Sequence, residues 1–187
     1  MKKILLISTG GTIASMPTDE GLTPKINSKK LLEYLNFTKL DFEIDTVNLL
    51  NVDSTDMQPE HWLKIKDEIK KNYEKYDGFV ITHGTDTMAY TASALSYLIQ
   101  NSQKPIVLTG SQKSIDMHIT DAKNNLLNSL LYASKSNSKG ISIVFDGKVI
   151  AGTRARKERT KSFDAFSSVN FPFLAIMQDE KIYRYIN

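Results

Sequence analysis

Apolar positions along this chain follow two patterns in turn. Unbroken apolar runs at 3–8, 78–82, 105–109 and 141–145 have the length and continuity of strands buried on both faces. Between them, apolar residues recur at helical spacing. Leu31, Leu32 and Leu35 predict a helix over 28–35, and Trp62, Ile65, Ile69 and Tyr73 predict one from Pro59 to Tyr73. Leu95, Leu98 and Ile99 place another over 89–100; Leu126, Leu127, Leu130 and Leu131 place a fourth over 121–135. Alternation of Phe42, Ile44 and Thr46 with polar neighbours predicts one further strand. Strand and helix in alternation imply an α/β fold: an open, mostly parallel sheet flanked by helices on both faces.

Three stretches break the pattern. Residues 15–27 are polar and interrupted by Pro17, Gly21 and Pro24; they read as a long loop, a lid over a site or an excursion. Residues 154–161 carry Arg154, Arg156, Lys157, Arg159 and Lys161 and read as a solvated basic loop. The tail, 179–187, reads as the start of a connection that stops.

Composition narrows the classes. The chain has 187 residues, 41% hydrophobic and 24% charged, which suits one globular domain with a full core. A net charge of +3 is too mild to argue for nucleic acid or an anionic membrane. The absence of cysteine excludes disulfides and thiolate chemistry and fits a reducing cytosol. His61, His83 and His118 lack the spacing of a metal site, so neither metal nor cofactor is expected. The short apolar run after Met1-Lys2-Lys3 does not read as a signal peptide, and no stretch is long enough for a membrane span.

Candidate chemistry begins at Thr9-Gly10-Gly11-Thr12, directly after the first strand. Two glycines there let the backbone turn sharply, and Thr12 presents a hydroxyl at the sheet edge where open α/β sheets bind ligands. Thr85 and Asp86 follow a later strand; Ser54 and Thr55 lie in a polar turn; Lys157 lies in the basic run. Hydroxyls, a carboxylate and an amine suit acyl transfer, with threonine as nucleophile and lysine as base where its surroundings keep the amine neutral. Asp86 would orient the lysine, and backbone N–H groups after Thr85 would hold an oxyanion or carboxylate. Each residue also has a plainer reading. Gly10-Gly11 is a turn, Thr85-Asp86 caps a helix, 54–56 caps the helix at Pro59, and His83 is a structural hydrogen-bonder. A nucleotide-binding domain is disfavoured, because neither phosphate-loop pattern is present.

Thr9-Gly10-Gly11-Thr12-Ile13-Ala14 and His83-Gly84-Thr85-Asp86-Thr87-Met88 resemble the two signature motifs of the bacterial L-asparaginases. Asp53 to Met57, Thr109 to Gln112 and the region from Gly152 to Phe166 resemble the same family, and the likeness to its cytoplasmic type I branch covers essentially the whole chain. The resemblance implies hydrolysis of L-asparagine to L-aspartate and ammonia through an acyl-enzyme on Thr12. Thr85, Asp86 and Lys157 would complete the catalytic set. Gly11, Asp53, Ser54, Thr55, Gly84 and Ser111 would bind substrate, with Asp86 also holding its ammonium. Leu22 stands where the family has a lid tyrosine. The family carries a second, smaller domain that completes the site from a neighbouring subunit. Residues 1–187 are therefore expected to be the N-terminal catalytic domain, ending at the start of a linker. Partners implied are L-asparagine and further copies of the chain as a dimer or tetramer, with no nucleic acid and no membrane. An isolated aspartate-binding domain with little turnover is one alternative. Another is the glutaminase subunit of a tRNA-dependent amidotransferase, disfavoured because that subunit carries a domain before the first strand.

Overall fold

The computed structural model describes residues 1–18, 21–24, 26–35 and 41–186. In chain order it contains β1 (Lys2–Gly10), β2 (Ser15–Thr18), β3 (Gly21–Pro24), α1 (Ser28–Glu33) and β4 (Phe42–Val52). There follow α2 (Pro59–Asn72), β5 (Gly78–Thr82), α3 (Met88–Leu98), β6 (Pro105–Thr109), α4 (Ala122–Ala133) and β7 (Gly140–Phe145). The chain closes with β8 (Lys148–Ala151), β9 (Ala155–Lys157), β10 (Phe166–Ser168), β11 (Ala175–Gln178) and β12 (Lys181–Arg184).

Eight strands form one sheet in the order β12-β11-β8-β7-β6-β5-β1-β4. From β4 to β7 every pairing is parallel; from β7 to β12 every pairing is antiparallel. Alternation along the parallel strands explains their continuous apolar runs. Ile4, Leu6, Val80, Val107 and Val144 pack with Leu31 of α1 and with Leu126 and Leu130 of α4. Leu5, Ile7, Phe79, Ile81, Ile106, Leu108 and Ile143 pack with Ile65 and Ile69 of α2 and with Met88, Ala92 and Leu95 of α3. Helices therefore cover both faces, and a strand with two buried faces has no position for a polar side chain to reach water. The expected α/β architecture is the observed one.

The three pattern-breaking stretches fold differently from expectation. Residues 15–27, expected as a loop, contain the antiparallel hairpin β2–β3, in register from Ser15↔Pro24 to Thr18↔Gly21. A two-stranded ribbon leaves one edge of each strand without a ladder partner, so Pro17 and Pro24 fit in it. The lid expectation falls largely outside the described residues: Asp19, Glu20 and the side chain of Leu22 are not among them. In the basic run, 155–157 is β9, paired with β10 through Lys157↔Phe166. In the tail, 181–184 is β12, paired along its length with β11. Short polar strands of this kind are specified by their partner and not by their own apolar content.

Two capping expectations are also corrected. Gln58 and His61 cap α2 reciprocally, with the Gln58 N–H donating to His61 Nδ1 at 3.0 Å. Residues 54–56 form their own 3₁₀ turn instead, capped by Asp53. Nor do Thr85 and Asp86 cap α3, whose N-cap is Thr87.

Candidate active site

The strand order places β1 between β4 and β5, so the helix that follows β1 (α1) and the helix that follows β5 (α3) lie on opposite faces of the sheet. That change of face creates a crevice at the carboxyl ends of β1 and β5, the preferred ligand position in an open α/β sheet. The two glycine-threonine segments, Gly11-Thr12 and Gly84-Thr85, both emerge there. Thr9 Oγ1 donates to Thr82 O at 2.8 Å and ties the two strand ends together.

Close backbone packing fixes the crevice. Gly11 has φ +81, and a Cβ on it would stand 2.4 Å from Gly84 N and 2.6 Å from Gly84 Cα. A Cβ on Gly84 would stand 2.5 Å from Ser54 Oγ. Three segments distant in sequence thus converge on Gly84, and only residues without side chains permit that approach. Thr12 and Thr85 each follow one of the touching glycines.

Around Thr85 the polar side chains are explicit. Lys157 Nζ donates to Thr85 Oγ1 at 2.8 Å and to Asp86 Oδ1 at 2.7 Å. The Thr85 hydroxyl in turn donates to Gln112 Oε1 at 3.2 Å. Thr85 is buried and the Lys157 side chain is 14% exposed, whereas Asp86 is 57% exposed. The carboxylate therefore faces the opening, while the amine and hydroxyl lie beneath it. Lys157 reaches this point on β9, which folds back from the antiparallel part of the molecule.

Ser54, buried, accepts from Thr87 Oγ1 on its carbonyl at 2.6 Å. Asp53 Oδ1 accepts from both the N–H and the hydroxyl of Thr55 at 2.8 Å, so Asp53 orients that turn. Ser111 stands apart: its hydroxyl donates to the carbonyl of Lys113 and is satisfied within its own loop.

Beneath the site, His83 is fully buried. Its Nδ1–H donates to Gly84 O at 2.7 Å, and its Nε2 accepts from the Thr91 hydroxyl at 2.9 Å. Thr91 Oγ1 also accepts from Trp62 Nε1 at 2.9 Å. Every polar atom of the relay is satisfied with a neutral imidazole, and burial pushes its pKa down to about 4. The plain reading of His83 as a structural hydrogen-bonder is the observed one.

Sequence reasoning missed the part played by Gln112. Its Nε2 donates to Arg159 O and Ser162 O while its Oε1 receives Thr85. The only signal available was a long amide two residues after Gly110 at a strand end, and its partners lie far along the chain. No group of three or more His, Asp or Glu among the described residues is arranged to hold a metal ion. Among those residues no helix is long and apolar enough to cross a membrane.

Comparison with known proteins agrees with the motif resemblance. The profile of the family described as "Asparaginase, N-terminal" matches residues 3–187. An L-asparaginase of Thermococcus kodakarensis is 40% identical over 181 residues, covering 96% of this chain and 55% of its own. L-asparaginase 1 of Escherichia coli is 40% identical over 176 residues, with coverages of 91% and 52%. A glutamyl-tRNA(Gln) amidotransferase component of Sulfolobus acidocaldarius is 38% identical over 178 residues, covering 90% of this chain and 40% of its own. Among solved structures, the thermostable T. kodakarensis L-asparaginase superposes with a TM-score of 0.92 at 38% identity over 99% of this chain and 56% of its own. A probable cytoplasmic L-asparaginase from Campylobacter jejuni gives 0.89 at 30% identity over 100% and 58%. The chain spans about half the length of the curated relatives it matches. By profile, identity and fold together, it belongs to the asparaginase family, in the part that the family's N-terminal profile describes.

Proposed function

We propose that this chain carries the amide-hydrolysing centre of an L-asparaginase. The observation that supports this most directly is Lys157 Nζ bonded at once to Thr85 Oγ1 and Asp86 Oδ1. In the proposed reaction, Thr12 Oγ1 forms an ester with the side-chain carbonyl carbon of L-asparagine. The C–N bond breaks, and ammonia leaves with the hydroxyl proton. Water then attacks the ester, releases L-aspartate and returns a proton to Thr12. Thr85, Lys157 and Asp86 are assigned to proton handling in these steps, the amine serving as base once it has released a proton. Backbone N–H groups at the Gly11 and Gly84 turns are assigned to the developing oxyanion. Ser54 and Thr55, with the Asp53 that orients their turn, are assigned to the substrate's α-groups; Ser111, whose hydroxyl is bonded within its own loop, is given no α-group contact. Asp86, the exposed member, is assigned to its ammonium.

Ammonia release from L-asparagine tests the reading, with Thr12→Ala as the control. Turnover by the parent chain that vanishes in Thr12→Ala supports it; turnover retained by the variant refutes the nucleophile. Binding of L-aspartate without ammonia release would instead identify a ligand-binding domain. Identity to an amidotransferase component supports a second reading, a glutaminase. Release from L-glutamine at a kcat/KM above that from L-asparagine would favour it. A cytoplasmic homo-oligomer is part of the same proposal, prompted by the C. jejuni neighbour described as cytoplasmic; light scattering on the purified chain checks the assembly.

A further inference from the structure

We propose that Gln112 is a positioning residue for the Thr85–Lys157 pair, acting through the two ends of a single amide. The assignment rests on the reading of this site as the amide-hydrolysing centre, and its test separates the two.

The amide orientation is dictated by its partners. Arg159 O and Ser162 O, at 3.3 and 2.9 Å, can only accept, so the nitrogen of Gln112 must face them. Its oxygen must then face Thr85 and can only accept. A hydroxyl has one proton, and Thr85 gives its proton to Gln112; the lone pairs that remain meet the Lys157 ammonium at 2.8 Å. Donation therefore runs one way, from Lys157 to Thr85 and from Thr85 to Gln112. Lys157 sends a second bond to Asp86. Gln112 thus sets which way the Thr85 proton points before chemistry begins.

The same amide anchors the segment that follows Lys157. Residues 158–165 connect β9 to β10, and two of their carbonyls are held by Gln112. Gln112 is itself rooted. Its N–H donates to Asp121 Oδ2 at 2.8 Å, the neighbouring Lys113 N–H donates to Asp121 Oδ1 at 3.1 Å, and buried Asn125 links Asp121 to Gly110 O. This 158–165 segment, the strap, keeps an independent tie through Asp164, which accepts from Lys148 outside it and from Arg159 within it. Loss of Gln112 should therefore loosen the strap and free the Thr85 hydroxyl without unfolding either.

The experiment uses the whole chain with Gln112→Met, which is close in shape and makes neither bond. A second variant, Gln112→Glu, retains an acceptor for Thr85 but, when ionised, no donor for the strap. Amide exchange is followed at Glu158 and Arg159, whose N–H groups bond to Ala165 O. Both variants should exchange there about tenfold faster, with the amides of β5 and β6 unchanged. For ammonia release, Gln112→Met should lower kcat about tenfold with KM within twofold, and Gln112→Glu should restore part of that kcat. Unchanged strap exchange in Gln112→Met overturns the proposal. So does unchanged kcat, and so does a fall in kcat matched by faster exchange throughout the sheet, which marks general destabilisation. Silence of the unmodified chain towards L-asparagine would refute the asparaginase reading alone; strap exchange would then still decide whether Gln112 holds the strap.

Discussion

The parallel and antiparallel parts of this molecule supply the residues of the candidate site by different means. Thr12 and Thr85 come from the parallel part, at the ends of strands whose side chains are buried on both faces. Their positions are set by backbone pairing and by the contact of Gly11 with Gly84. Lys157 comes from the antiparallel part, on the ribbon β9–β10, which lies outside the main sheet. Its position depends on side-chain bonds: Thr85, Asp86, Gln112 to the strap, and Asp164 with Arg159 and Lys148. Core packing places the hydroxyls directly, whereas the amine rides on a ribbon that is seated on the core through Phe166 and is aimed by polar contacts near the surface. The two halves of the site should therefore fail differently when disturbed.

The largest expected effects are on catalysis. Thr12→Ala and Lys157→Met should each lower kcat/KM for L-asparagine by about 10³-fold or more, one substitution from each part. Urea midpoints should stay near those of the parent, because neither side chain belongs to the apolar clusters. An active Lys157→Met protein would reduce the antiparallel part to scaffolding and break the comparison.

Next in size is Gly11→Ala, predicted to cost about 3 kcal/mol in denaturant unfolding, since the new Cβ meets backbone at a positive φ. An unchanged midpoint would mean that the parallel edge can yield as readily as the ribbon. A similar amount is at stake in His83. The unfolded chain protonates this histidine near pH 6.5, while burial holds the folded one at about 4. Between those values the unfolded state binds the extra proton, so stability is complete above pH 6.5 and falls by about 3 kcal/mol as pH drops to 4. Unfolding curves from pH 7 to 4 should show this loss, and His83→Gln should flatten it.

Smallest is Asp164→Asn, in the strap. Lys148, through its hydrogen bond and charge, and Arg159 hold this carboxyl below its ordinary pKa, but the group is half exposed and screened. Global stability should change by less than about 1 kcal/mol, while exchange at Glu158 and Arg159 rises. A larger global loss would show that the ion pairs of Asp164, and not Phe166 alone, hold the ribbon on the core.

The same division decided what the sequence revealed. Ile4 to Ile7, Phe79 to Ile81 and Ile106 to Leu108 announce strands because two buried faces leave no room for polar residues. Ala155-Arg156-Lys157 announces a solvated loop because its strand is made by pairing with Phe166 to Ser168, a partner that local periodicity does not identify. Thr85-Asp86 was compatible with a helix cap until α3 proved to begin at Met88 and both side chains turned to Lys157. Gln112 was visible as a residue in a recognisable segment but not as a bridge, since its partners at 159 and 162 are brought near by tertiary structure alone.

Thr85 and Lys157 lie 72 positions apart, and the strands between them must pair before the ribbon can turn back. The β1–β5 pairing closes a loop of the same size, Ile4 to Gly78, so loop entropy treats the two alike; what sets the amine apart is that Lys157 follows all the strands of the parallel layer in the chain. A chain emerging from the ribosome would thus complete the parallel layer, hydroxyls included, while its amine was still unplaced. The three-way contact of amine, hydroxyl and carboxylate would be made all at once when the ribbon turns back, not gradually as the sheet grows.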